Sequence, residues 1–195
     1  MTFNPYKIPR PWLDFLLSLQ DEAPEACIAG GCLRDLDNDR PVKDVDVFAD
    51  ADELGDKLRS VFGEDLVNTG LPEYVAWREL DGDLGGLFTV RFEDMSFEVI
   101  GVKHGRNMTA RSAALRNDFG ICQIAHDGVW GLFRSDQYLK DQENKTFTLT
   151  HALNNAAFHR SIRRYHRLQS KYPDFRLVVP DHIREHLSDD TDSTR

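Results

Sequence analysis

This sequence predicts an α+β fold: a small twisted mixed sheet with helices packed on one side, followed by a short helical extension. Three observations lead there. Short apolar runs alternate with helical spacing as far as Phe62, and strand-like runs separated only by turn residues follow up to Val102. A long basic stretch with helical periodicity, His151 to Tyr172, comes near the end. Consecutive strands with short links imply an antiparallel meander beside the first two strands.

Pro11 to Leu19 reads as an amphipathic helix opened by prolines. Ala26 to Ala29 is a short buried strand ending at Gly30-Gly31, and Cys32 to Asp37 begins a helix that Asn38 and Pro41 stop. Asp44 to Phe48 is the second strand. Asp52 to Phe62 is helical, with Leu54, Leu58, Val61 and Phe62 on its apolar stripe and Asp50 or Asp52 as its cap. Tyr74 to Leu80, Leu87 to Phe92 and Ser96 to Val102 are strand-like, divided by Asp81-Gly82-Asp83 and Glu93-Asp94. Lys103 to Ala110 reads as a loop, and Ala113 to Ile124 as a segment helical at its end. These elements divide the chain into a head (1–128), a helical neck-like extension (129–187) and a disordered tail (188–195).

The net charge of −9 excludes a surface coated broadly for duplex nucleic acid. Charge is uneven, however: Arg160, Arg163, Arg164, Arg167 and Lys171 gather without an acid among them, on a helix that suits one phosphate-bearing ligand or a solvated face equally. No apolar run reaches the roughly 18 residues of a membrane span, and Met1 to Pro11 lacks the apolar core of a secretory signal. Cys27, Cys32 and Cys122 are odd in number and lack paired metal spacing, which predicts buried free thiols and a reducing cytoplasm. The histidines show no zinc pattern; His104 falls in a loop, and Trp12, Trp77 and Trp130 read as core or groove fillers.

The chemistry sits in Lys43-Asp44-Val45-Asp46-Val47-Phe48. Strand side chains alternate, so Asp44 and Asp46 point the same way, about 7 Å apart. Parallel carboxylates repel unless a cation lies between them, and Mg²⁺ suits the place because it takes one or two carboxylates and completes its shell with water and phosphate oxygens. Gly30-Gly31, between an apolar strand and a helix, lets backbone N–H groups approach an anion. Together these describe a site for a metal-bound nucleoside triphosphate.

Ile28-Ala29-Gly30-Gly31-Cys32-Leu33-Arg34-Asp35, followed by Arg40-Pro41-Val42-Lys43-Asp44-Val45-Asp46-Val47-Phe48, resembles the head domain of bacterial CCA-adding enzymes and poly(A) polymerases, in the polymerase-β-type nucleotidyltransferase superfamily. Leu115-Arg116-Asn117-Asp118-Phe119-Gly120-Ile121 is similar to a second motif of that family, and Arg160 to Arg167 to its arginine-rich neck helix. The resemblance implies a nucleotidyltransferase that moves a nucleoside monophosphate from an NTP to a hydroxyl, most readily an RNA 3′ end such as that of tRNA, and releases pyrophosphate.

It also implies roles. Asp44 and Asp46 would hold two Mg²⁺ ions, with Glu98 as third carboxylate and Glu93 or Asp94 as alternates. Gly30 and Gly31 would cradle the triphosphate, and Arg34 would hold phosphate or the catalytic strand. Arg116 and Asp118 would position ribose and phosphates, and Arg160 and Arg163 would meet phosphate or RNA. The departures are Asn117 and Gly120 in the second motif, and Ala156 and Ala157 at the neck's base-reading acid pair, where neither alanine can hydrogen-bond a base edge. These departures favour a second reading, a nucleotide- or RNA-binding or inhibitory module without turnover, and a third is transfer onto a protein or small molecule.

Overall fold

The computed structural model describes residues 8–67, 83–103, 108–128 and 131–184. The expected strand Tyr74–Leu80, Trp77, His104, Trp130 and the tail from residue 188 lie outside the described residues.

Short, doubly buried strands such as β1 (Cys27–Ala29) belong in the middle of a sheet, and β1 lies there between β2 (Val45–Asp50) and β6 (Ile124–His126). With β3 (Leu66–Val67), β4 (Leu84–Phe92), β5 (Met95–Val102) and β7 (Leu132–Arg134), the described residues form a seven-stranded sheet in the order β3-β4-β5-β2-β1-β6-β7. The sheet is mixed, because β2 and β5 run parallel while every other neighbouring pair is antiparallel. The expected meander is the β4–β5 hairpin, turned by Glu93 and Asp94, both at positive φ. The last strand, β7, lies beyond residue 128 and is still part of this sheet.

Alternation sorts the side chains into two faces. Ile28, Val45, Val47, Ala49, Phe97 and Val99 join one core cluster with residues of α1 (Arg10–Gln20) and α3 (Leu54–Phe62). Phe15 of α1 is fully buried there, with its ring stacked on Phe97 at 3.9 Å and on Phe62 at 4.8 Å. Cys32 and Leu33 of α2 (Gly31–Asp37) close the same side. The opposite face is thinner. Cys27, Ala29 and Ala125 meet Ala113 and Ala114 of α4 (Ala110–Leu115), which packs on β1, β6 and β7. Helices α1 to α3 thus cover one side as expected, and the short α4 covers only part of the other. Each expected thiol is buried and free.

The extension contains α5 (Asp136–Asn144), α6 (Asn155–Gln169) and a parallel pair, β8 (Thr146–Thr148) with β9 (Arg176–Val178). Phe147 ties it to the head, meeting Phe119, Tyr165, Tyr172 and Phe175 edge-on at 5.5–5.7 Å. Asn154 caps α6 by accepting from the Ala157 N–H at 2.8 Å.

Two local expectations are corrected. Neither Asp50 nor Asp52 caps α3: the Ncap position is Glu53 at φ 56°, and the Asp50 side chain instead accepts from the Asp52 N–H. The segment Ala113 to Ile124 is helical at its start, as the second half of α4, whose Thr109 and Ser112 form a reciprocal capping box. Its end is a 3₁₀ turn at Gly120–Cys122 leading into β6.

Truncating Phe97 to alanine removes the aromatic ring at the centre of the larger core. The Phe97→Ala protein should lose about 3–5 kcal/mol in urea unfolding with an unchanged m-value.

Candidate active site

Strand pairing assembles the site. In β1–β2, Cys27 pairs with Phe48 and Ile28 with Val47, so continuing that register brings Ala29 and the glycine turn to Asp46 and the start of β2. Parallel pairing of β2 with β5 sets Asp46 directly beside Glu98. Both side chains point away from the Val45, Val47, Phe97 and Val99 core, onto the part of the second face beside α4's cover. Adjacent strands lie about 4.8 Å apart, so three chain segments converge on one patch. Asp44 stands just ahead of β2 and is half-exposed, with Lys43 Nζ 3.0 Å from its Oδ2.

Crowding of like charge is visible at Asp46. Burial, with Glu98 and Asp44 adding to it, raises its carboxyl pKa to about 7, although Arg164 and Arg34 pull the other way. Behind it, burial pushes the Cys32 thiol up, so that group serves as packing and not as a nucleophile.

The glycines contribute unequally. Gly30 adopts φ 90°, a conformation that disfavours any side chain, and a Cβ there would come within 2.9 Å of Asn117 Oδ1. Its own N–H is taken by the Ile124 carbonyl, so Gly30 shapes the turn without offering its donor. A Cβ at Gly31 would lie 3.6 Å from one Arg34 nitrogen and 3.8 Å from Arg164 Nη2. Two guanidinium groups therefore converge on the turn, beside the carboxylates.

Each guanidinium is held from behind. Arg164 of α6 pairs with Asp118 at 2.9 Å, and Ser161 donates to the other oxygen of Asp118 at 2.5 Å. Burial opposes charge on Asp118, but Arg164 and that hydroxyl outweigh it and hold the carboxyl below its usual range. Arg34 is 3% exposed and donates to Asp35, to Tyr172 Oη and to Cys122 Sγ. Asp35 in turn accepts from Lys171 at 2.6 Å and from Tyr172 at 2.7 Å, joining α2 to the segment after α6.

Among the residues expected from the sequence, Asp46, Glu98, Gly30 and Gly31 come together, with Asp44 at the edge and Arg34 and Asp118 beneath. Arg116 reaches Asp83 at 3.6 Å, just before β4, whereas Glu98 pairs with Thr89 in the middle of that hairpin. Arg160 is partly buried and its charge is felt by Asp118, while Arg163 is exposed. Arg164 and Asn117 are the residues that sequence reasoning did not assign to the site. Arg164 was legible only as one arginine of a basic helix, and Asn117 only as a departure from a motif.

Oxygen donors crowded into mutual repulsion suit a hard cation. Among the described residues no three His, Cys, Asp or Glu side chains form a ready metal cage. Asp46, Glu98 and, at the edge, Asp44 are the side chains here that could hold such a cation together with its own water ligands.

Two expectations follow. Because the fold favours the neutral form of Asp46, the stability this group contributes is present at low pH and is lost as pH rises through about 7. Thermal unfolding at about pH 5 and about pH 8 should show a drop for wild type that Asp46→Asn reduces. Asp35→Ala leaves the Arg34 charge buried without its carboxylate, and should cost about 3–5 kcal/mol in denaturant unfolding.

No family model matches the chain, and no curated protein matches it either. Solved structures do. A tRNA-processing enzyme in an apo form superposes with TM-score 0.59 at 20% identity, over 88% of this chain and 45% of that one. The Bacillus stearothermophilus CCA-adding enzyme in complex with CTP gives 0.57 at 18%, over 87% and 40%. The Thermotoga maritima CCA-adding enzyme complexed with tRNA gives 0.57 at 18%, over 86% and 38%. This chain spans less than half the length of each of these chains. At such identities the likeness is one of architecture: the chain has the fold of a CCA-adding enzyme's nucleotidyltransferase head.

Proposed function

We propose that this protein is a Mg²⁺-dependent nucleotidyltransferase that moves a nucleoside monophosphate from an NTP onto a hydroxyl, with an RNA 3′ end such as that of tRNA as acceptor. One observation carries the reading: Asp46 and Glu98 stand side by side in register, next to a glycine turn on which the Arg34 and Arg164 guanidinium groups converge. Paired oxygen donors beside fixed positive charge match a triphosphate and its cation. CTP and tRNA in the fold's relatives support the choice of NTP and RNA.

In the reaction the acceptor oxygen bonds to the α-phosphorus, the bond to pyrophosphate breaks, and the hydroxyl proton is released. Bound Mg²⁺ would neutralise the triphosphate and lower the pKa of the attacking hydroxyl, with Asp44, Asp46 and Glu98 as the holding residues. The protein's own part is positioning and fixed charge. Arg164 faces the phosphates with its orientation set by Asp118, and Arg34 adds positive charge from beneath without leaving its buried pair. Asp46 would give up its proton to hold such an ion, so that near neutral pH its binding would release protons. Arg160 and Arg163 extend the positive surface along α6 toward the acceptor's phosphates. A reducing cytoplasm is the setting proposed.

A binding-only reading has one observation in its favour, the Lys43 ammonium that already answers Asp44. That pair is solvent-exposed and worth little, so a stronger cation can displace it.

Purified protein with Mg²⁺, each labelled NTP in turn and total RNA should incorporate label into RNA, and Asp44→Ala should lower incorporation by roughly 10²–10³-fold or more. NTP binding by calorimetry with no pyrophosphate release would select the binding-only reading instead.

A further inference from the structure

In phosphoryl transfer the attacking and leaving oxygens stand roughly in line, on opposite sides of the phosphorus. The two sides of Asp46 differ, because β2 lies between β1 and β5. On the β1 side the Arg34 and Arg164 guanidinium groups converge beside Gly31, where positive charge suits a leaving pyrophosphate. An acceptor therefore arrives from the other side, over Glu98 of β5 and toward β4.

Register places further side chains along that approach. Glu98 pairs with Thr89, and Ser96 pairs with Arg91 one step nearer the hairpin turn. Val90 and Phe97 between them are buried in the larger core, so Arg91 and Ser96 share the second face with Glu98 and Asp46. Continuing the β2–β5 register sets Asp44 level with Ser96. Asp44, Ser96 and Arg91 thus form a row across the sheet, roughly 10 Å from end to end at two strand spacings. Arg91 and Ser96 are both exposed.

Arg91 differs from the two arginines on the β1 side, each of which is held by a carboxylate. Among the described residues, no ion pair or hydrogen bond joins Arg91 to Glu93, Asp94 or Glu98 of its own hairpin, or to Asp65 just before β3. Its planar fork of N–H donors is left open to an incoming anion, and phosphate matches that fork. A protein or sugar hydroxyl brings no such anion. A nucleic-acid 3′ end does, since a phosphodiester adjoins the nucleotide that carries the hydroxyl.

We propose that Arg91, with the Ser96 hydroxyl, binds the last phosphodiester of an RNA acceptor and so presents the RNA 3′ end to Glu98 and Asp46. The direction of approach rests on the proposed transfer reaction, whereas the binding itself needs no turnover.

Fluorescence anisotropy of the full chain tests this with two short 5′-labelled single-stranded RNAs. One has an ordinary last linkage and the other an uncharged methylphosphonate there, both with a 2′-O-methyl group beside the linkage so that the neutral ester survives. Wild type should bind the charged probe about tenfold more tightly, and Arg91→Ala should lose that preference by weakening on the charged probe alone. Arg91→Lys, which keeps the charge without the fork, should recover part of it. Arg163→Ala, on the exposed face of α6, should weaken both probes by the same factor. No preference in wild type, a preference that survives Arg91→Ala, or equal weakening of both probes by Arg91→Ala would overturn the proposal. Label incorporation separates the two readings: transfer with an RNA KM unchanged in Arg91→Ala would sink this subsite alone, and probe discrimination without any transfer would sink the transfer reaction alone.

Discussion

Negative charge packed on the open face of the sheet has to be answered, and the answer comes from the far end of the chain. Asp46, with Glu98 and Asp44 beside it, feels Arg164 more strongly than either neighbouring carboxylate. Arg164 sits on α6, so docking of the extension adds to the positive charge that Arg34 of the head already offers the carboxylate patch. The docking is itself ionic at two points, Arg164 with Asp118 and Lys171 with Asp35, and aromatic at a third, where Phe147 meets Phe119. The head's chemistry and the extension's packing are therefore one problem of charge balance.

This coupling explains why buried ion pairs persist where apolar packing would serve stability as well. Asp35 and Asp118 each spend both carboxylate oxygens on fixed donors. The guanidinium groups they hold are thereby fixed beside Gly31 with their charge intact. Preorganised charge of this kind needs no rearrangement when a polyanion arrives. The cost is a carboxyl at Asp46 whose pKa burial raises to about 7 in spite of both guanidinium groups.

The glycine turn shows a related division of labour. Gly30 is required by backbone conformation and by the proximity of Asn117, and its N–H closes onto Ile124. Gly31 lies beside the two arginine heads, where even a Cβ would be in van der Waals contact with both. A single dipeptide thus serves the sheet on one side and the charged pocket on the other.

Much of this was legible in the sequence because periodicity is local. Alternating apolar residues identify β2 and β5 and set Asp46 on the face away from the core, Gly30-Gly31 marks the turn between β1 and α2, and Asp44, expected on the same strand, falls just ahead of β2. Three-residue strands such as β6 and β7 carry no readable period, and the capping box at Thr109 was hidden in what read as a loop. Pairings between distant residues left no trace at all. Composition shows that α6 is rich in arginine, but which arginine turns inward depends on where Asp118 and Asp46 lie in space. Register across β2–β5 and the docking of α6 bring Glu98 and Arg164 to the same carboxylate, and only the packed chain decides those.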